Sequence, residues 1–185
     1  MTPGRDDLGG LIGTFDEWAD QRLDQIRGVA RVDQLMRWAS EAGDFSLIWH
    51  VINIARSGSR GRWDQLLALS LALGIESLVL NQGIKRLFRR PRPTVAGDER
   101  TPVRQPSTSA FPSGHASAAA FNAVLLSSVE PKGKVIWWAL ATVVGISRAH
   151  VRIHHPSDVV GGAIIGTLLG LLARRILRRI SAGLI

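Results

Sequence analysis

The strongest constraint on this chain is the separation of its apolar and charged residues along the sequence. Apolar blocks occupy residues 45–55, 63–84, 115–129, 135–147 and 159–173, and the charges gather between them. Only Asp64 and Glu76 interrupt the second block, and the third contains no Lys, Arg, Asp or Glu. A helix of a water-soluble bundle instead spreads its polar residues along one outward face. The last block, extended to residues 157–177, has 21 residues and spans about 32 Å at about 1.5 Å per residue. That length crosses a hydrocarbon core if Arg174 and Arg175 extend their heads toward the headgroups. Trp63, Trp137 and Trp138 stand at block edges beside Arg62 and Lys134, as an interfacial aromatic belt does. Gly162, Gly166 and Gly170 recur every fourth residue, a spacing that lets two helices approach closely in lipid. The expected fold is all-α: a multi-span transmembrane bundle of about five to six helices.

The composition fits this reading. Apolar residues make up 45% of 185 residues, yet the net charge is +8. Charge alone would admit a nucleic-acid-binding domain, but the cations lie at block ends and no nucleic-acid partner is expected. A basic membrane protein that binds anionic lipid through its arginine runs remains an alternative. The chain has no cysteine, which excludes disulfides, thiolate metal sites and a cysteine nucleophile.

Residues 1–40 differ from the rest and are expected to form an N-terminal amphipathic segment ahead of a membrane-embedded domain, 41–185. Residues 1–37 are polar, of mixed charge, with no apolar stretch of the signal-peptide kind. Phe15, Ala19, Leu23, Ile26 and Ala30 recur at helical spacing. Such a helix packs on the rest of the protein, or lies in the membrane interface with Trp18 and Trp38 as anchors. Residues 91–112, with five prolines, read as a long loop, and loops of that length in compact proteins are usually functional.

The distinctive polar residues fall in three patches, each at a block end. The first runs from Lys85 through Arg86, Arg89 and Arg90 to Arg92-Pro93. The second is Pro112-Ser113-Gly114-His115, and the third is Ser147-Arg148 followed by His154 and Asp158. If every block spans, the chain reverses twice between His115 and Ser147, so all three patches reach one membrane face. Their chemistry points to phosphate. Lys85, Arg92 and Arg148 can surround one anion, and arginine forks match phosphate oxygens. Ser113-Gly114 opens a helix, where free N–H groups attract an anion. Two histidines offer a nucleophile and a proton donor, and Asp158, four residues after His154, can reach it across a turn.

These patches resemble the type-2 phosphatidic acid phosphatase superfamily, which also includes vanadium haloperoxidases and bacterial acid phosphatases. Its signature, Lys-x6-Arg-Pro, Pro-Ser-Gly-His and Ser-Arg-x5-His-x3-Asp, matches without substitution over residues 85–158, about 40% of the chain. The resemblance implies an integral-membrane phosphatase acting on a lipid phosphate or pyrophosphate, with no metal and no cofactor. It implies that His154 attacks phosphorus, Asp158 orients it, and His115 protonates the leaving oxygen and then activates water. Lys85, Arg92, Arg148, Ser113 and the Gly114 amide would stabilise the five-coordinate phosphorus. A haloperoxidase holding vanadate on the same ligands is an alternative, though those enzymes resemble much longer soluble proteins. Only His154 has the required spacing; His155 and His150 fall outside the pattern. Arg86, Arg89, Arg90 and Arg152 are expected to meet lipid headgroups or acidic loop residues. Glu76, inside an apolar block, is expected to be protonated or paired with a group on a neighbouring helix.

Nine cations fall on the face opposite the site and nine on the site face, three of the latter being proposed phosphate ligands. Setting those three aside favours a cytoplasmic C-terminus and an external site, which the membrane branch of the family also implies. Arg5, Arg22, Arg27, Arg31 and Arg37 would reverse the count if residues 45–55 span.

Overall fold

A computed structural model describes residues 10–94, 103, 104, 106–181, 183 and 185. Among these residues the chain is helical with no strand. Its seven main helices are α1 (Gly10–Asp24), α2 (Ala30–Ala42), α3 (Leu47–Ser59), α4 (Trp63–Leu78), α5 (Gly114–Val129), α6 (Lys134–His150) and α7 (Pro156–Ile180). Of the expected loop 91–112, residues 95–102 and 105 lie outside the described set, as does Arg5.

α5 is the axis of the bundle. Every residue from Ala116 to Leu126 is buried, because α4, α6 and α7 pack around it. Its first half is nearly all Ala and Ser, so neighbouring backbones come close. The closest is α7, through the three glycines at fourfold spacing. A Cβ on Gly162 would lie 2.4 Å from the Ser113 carbonyl oxygen, and one on Gly166 would lie 2.1 Å from that of Ser117. On Gly170 it would lie 3.1 Å from the Phe121 carbonyl oxygen. The seam thus runs in step along both helices, one glycine per turn.

The outer faces are apolar. α4 turns Leu67, Leu71, Ile75 and Leu78 outward, and α7 turns Ile164, Leu168 and Leu172 outward. Two segments, Trp63–Leu87 and Pro156–Ile180, are long and apolar enough to cross a membrane, yet only 28% and 17% of their most apolar windows are buried. A core helix of a water-soluble protein is buried instead, so this perimeter belongs in lipid. The 63–84 block does not end as one regular helix: it passes through a π turn at Val79–Gly83 and a 3-10 turn at Ile84–Leu87, which carries Lys85 inward. Glu76 is buried and accepts a hydrogen bond from Ser117 Oγ on α5, the neighbouring-helix partner expected of it.

The N-terminal segment forms two helices where the periodicity suggests one. The chain turns at residues 25–29, with Gly28 at φ +87°, a conformation glycine adopts without strain. Ile26 sits in that turn and Ala30 starts α2. Both helices dock on the bundle: α1 on α6 and α7, α2 on α6. Arg27 donates to the carbonyls of Ala149 and His150 at the end of α6, and His150 Nε2 lies 2.7 Å from Asp33 Oδ1. The outward faces still carry Leu11, Phe15, Trp18, Leu35 and Trp38.

The glycine seam is testable. Gly166→Ala forces a methyl against a backbone carbonyl and should lower stability by about 1–3 kcal/mol. Gly74→Ala meets nothing within 4 Å and should leave stability unchanged or raise it by up to about 1 kcal/mol. Thermal unfolding in detergent distinguishes the two.

Candidate active site

Three chain segments meet at one end of the bundle. The first descends from α4 through Lys85 to Arg92. The second is the N-terminus of α5. The third is the turn between α6 and α7. The seam joins the last two: the Ser113 N–H donates to the Asp158 carbonyl oxygen at 2.9 Å. Ser113 caps α5, its Oγ accepting from the Ala116 N–H at 3.5 Å, and Gly114 and His115 form the first turn.

His154 lies in the turn after α6, 2% exposed. Its amide donates to the Arg148 carbonyl oxygen at 3.2 Å, tying the turn to the helix that carries Arg148. Its Nε2 is 3.3 Å from Arg92 Nη1. A guanidinium can only donate, so Nε2 holds a lone pair and the ring proton sits on Nδ1. Nδ1 faces Asp158 Oδ2 at 3.6 Å, just beyond hydrogen-bonding reach. Burial pushes the His154 pKa down to about 3 against the opposing pull of Asp158, with Arg92 and Arg148 lowering it further. The ring is therefore neutral at pH 7, the state a nucleophile needs.

Asp158 is itself held. Its Oδ2 accepts from the His155 N–H at 2.8 Å and its Oδ1 from Arg90 Nη1 at 2.6 Å. The His155 ring caps the start of α7 in return, which gives this second histidine a structural task. Arg90 was expected at headgroups or acidic loops; it is buried and bound to acidic residues on two helices. Its Nη2 donates to Asp16 Oδ2 on α1 at 2.7 Å, and Asp16 also accepts from the Ser157 amide and hydroxyl. Arg152 meets Asp24 at 2.5 Å, again on a helix. Arg86 bonds Gln82.

The remaining cations differ in their commitments. Arg92 donates to the carbonyls of Ile153, Pro106 and Thr108 at 2.8–3.1 Å, so it fixes the loop around His154. Lys85 reaches Thr108 Oγ1 at 3.5 Å, and its Nζ lies 3.8 Å from where a Gly114 Cβ would stand. Arg148 is 1% exposed. Its Nη1 donates to Ser40, while Nε and Nη2 meet no acceptor among the described residues. Buried donors without a partner are costly, and an anion would satisfy these two.

His115 Nε2 lies 3.0 Å from Asp44 Oδ1 and 3.2 Å from the Ser40 carbonyl oxygen. A cavity of about 490 Å³ is lined by Lys85, Gly114, His115 and His154, with Glu76, Thr108 and Asp44 among its other walls. All eight residues expected from the motifs therefore form one connected cluster. Sequence reasoning missed Arg90, Asp16, Ser40 and Asp44. Among the described residues no group of three or more His, Asp or Glu side chains is arranged to hold a metal ion.

His115, His154, Lys85, Arg92 and Arg148 thus gather at one end of a lipid-facing helix bundle, a set of groups suited to binding a phosphate. Residues 65–181 match the family described as the PAP2 superfamily. Phosphatidylglycerophosphatase B of Bacillus subtilis is 31% identical over 84% of this chain and 82% of its own length. An undecaprenyl-diphosphatase of the same organism is 30% identical over 54% of this chain and 51% of its own. A crystal structure of a transmembrane PAP2-type phosphatidylglycerolphosphate phosphatase from Bacillus subtilis superposes with a TM-score of 0.72 at 28% identity, covering 94% of this chain and 89% of that one. The chain belongs to the PAP2 superfamily.

The buried Arg90 between Asp158 and Asp16 makes a prediction. Arg90→Leu leaves two buried carboxylates without their cation and should destabilise the protein by about 3–5 kcal/mol. Unfolding in detergent measures it, and a loss below about 1 kcal/mol would refute the pairing.

Proposed function

We propose that this membrane lipid phosphatase works through a phosphohistidine on His154, without a metal. The two unsatisfied buried donors of Arg148 carry this reading, because Arg148 belongs to the same cluster as the neutral imidazole of His154, whose amide its carbonyl holds. A substrate phosphate enters among Lys85, Arg92 and Arg148, with the Ser113 hydroxyl and the Gly114 amide at the start of α5 completing the cradle. The Nε2 lone pair attacks phosphorus, the bond to the leaving oxygen breaks, and that oxygen takes a proton from His115. Asp158 faces the Nδ1 proton and offsets the positive charge that the imidazole gains. Water then attacks the phosphohistidine, His115 takes a proton from it, and the P–N bond breaks. Phosphate leaves and both histidines return to their starting states.

The substrate is a lipid phosphate or pyrophosphate of glycerophospholipid or polyprenyl type, the classes named for the two Bacillus relatives. The protein resides in the cell membrane as a multi-pass bundle with the site on the external face. The external placement rests on the family resemblance. The charge count now tilts the other way, since Arg27 docks at the site end on the segment that also carries Arg22, Arg31 and Arg37. Three of the site-side arginines, Arg27, Arg90 and Arg152, are neutralised by Asp16, Asp20, Asp24 and Asp158. The cysteine-free chain suits a direct test. A single cysteine introduced after Ile180 should resist an impermeant thiol reagent in intact cells, and labelling there would reverse the orientation.

A detergent assay with EDTA present should release phosphate from at least one of phosphatidylglycerol phosphate, a polyprenyl pyrophosphate and phosphatidic acid. His154→Ala should abolish release from all of them and prevent trapping of acid-labile phosphoenzyme, while His155→Ala keeps substantial activity. Equal loss in both variants would overturn the assignment of the nucleophile, and activity that disappears with EDTA would overturn the metal-free chemistry.

A further inference from the structure

The turn between α2 and α3, outside the matched family region, reaches the catalytic centre from the N-terminal segment. Its Asp44 carboxylate lies 3.0 Å from His115 Nε2, and the Ser40 carbonyl oxygen 3.2 Å from the same nitrogen. Both partners can only accept, so Nε2 carries a proton and the ring is oriented. Gly43 lets the turn lie flat on the imidazole: a Cβ there would stand 2.5 Å from His115 Cδ2. The two residues after Asp44, Phe45 and Ser46, are left-handed at φ +52° and +59°. Neither is glycine, and holding two such residues in succession costs about 1–3 kcal/mol each. That strain is maintained where Gly43, Asp44, Phe45 and Ser46 form a wall of the substrate cavity. Burial alone would raise the Asp44 carboxyl, but His115, Arg148 and Arg104 outweigh it and hold it below the usual carboxylate range. Asp44 is therefore an anion at neutral pH.

From the contact between Asp44 and His115 and the strained turn that delivers it, we infer that Asp44 is the positioning residue for the proton donor. It fixes the Nε2–H and raises the His115 pKa against burial and the positive charge of Arg148, which together push it down to about 4. The ring gains its second proton, at Nδ1, when the anionic substrate phosphate arrives beside it, and that proton serves the leaving oxygen. The two histidines then each have a carboxylate: Asp158 for the nucleophile and Asp44 for the acid. This inference rests on the assignment of His115 as the proton donor.

The test separates leaving groups. Protonation matters for a lipid alkoxide and little for an acidic phenolate. In the first turnover, Asp44→Asn should slow release of the lipid alcohol by about 10- to 100-fold, part of the roughly 10²–10⁴-fold that a general acid contributes. It should slow release of p-nitrophenolate from its phosphate less than about threefold, and Asp44→Glu should recover part of the lost rate. His115→Ala should show the same selectivity with a larger loss. Equal loss on both substrates for Asp44→Asn would make Asp44 a structural residue and overturn the inference, as would an unchanged rate on lipid. If His115→Ala itself shows no selectivity, the assignment of His115 fails first, and the two failures are distinguishable. Trapping of phosphoenzyme from the aryl ester by Asp44→Asn confirms that the variant is folded.

Discussion

The active site depends on how closely α5 and α7 can approach. Each brings a separate part of the chemistry at its N-terminal end: Ser113, Gly114 and His115 on one, Asp158 and the preceding His154 on the other. Their distance is set by glycines against backbone carbonyls, contacts in which no side chain can give way. Because Gly162 rests on the Ser113 carbonyl itself, the seam and the anion cradle share a residue. Helix association in lipid gains nothing from hiding apolar surface from water, so this shape match is the physical source of the site's geometry.

Around that seam, charge is handled by pairing in successive layers. His154 faces Asp158, Asp158 is held by Arg90, and Arg90 is held by Asp16 on the first helix. Asp158 and Asp16 thus share one cation, while Lys85 and Arg92 meet hydroxyl, carbonyl and imidazole groups instead. Arg148 departs from this pattern at two of its donors, which are buried and meet no acceptor among the described residues. The arrangement concentrates unsatisfied positive potential at one point and suppresses it elsewhere.

Much of this was legible in the chain. The motif residues are close in sequence within each patch, and block ends brought the patches to one face by counting alone. The fourfold glycine spacing signalled a helix contact, and Glu76 announced a partner by its cost in an apolar block. The N-terminal contributions gave no such signal. Asp16, Ser40 and Asp44 act on residues 71 to 141 positions away, and nothing local marks an acidic residue on an amphipathic helix as inward-facing. Arg90 was hidden differently: it stands two residues from Arg92 in a basic run, and composition cannot tell which arginine turns inward. The turn at Gly28 was missed because helical periodicity continues across it.

The seam is not uniform along its length. The closest approaches lie at Gly162 and Gly166, near the site, and the contact relaxes at Gly170. Beyond it α7 touches the core through Ala173 and Leu177 and carries Arg174, Arg175, Arg178 and Arg179 on its outer side. The helix is in effect clamped at one end and held more loosely, by side chains alone, at the other. A bilayer thinner or thicker than the bundle would bend or tilt the looser end, where long arginine side chains adjust their reach. The clamped end would transmit little of that motion, so catalytic geometry is insulated from changes in membrane thickness.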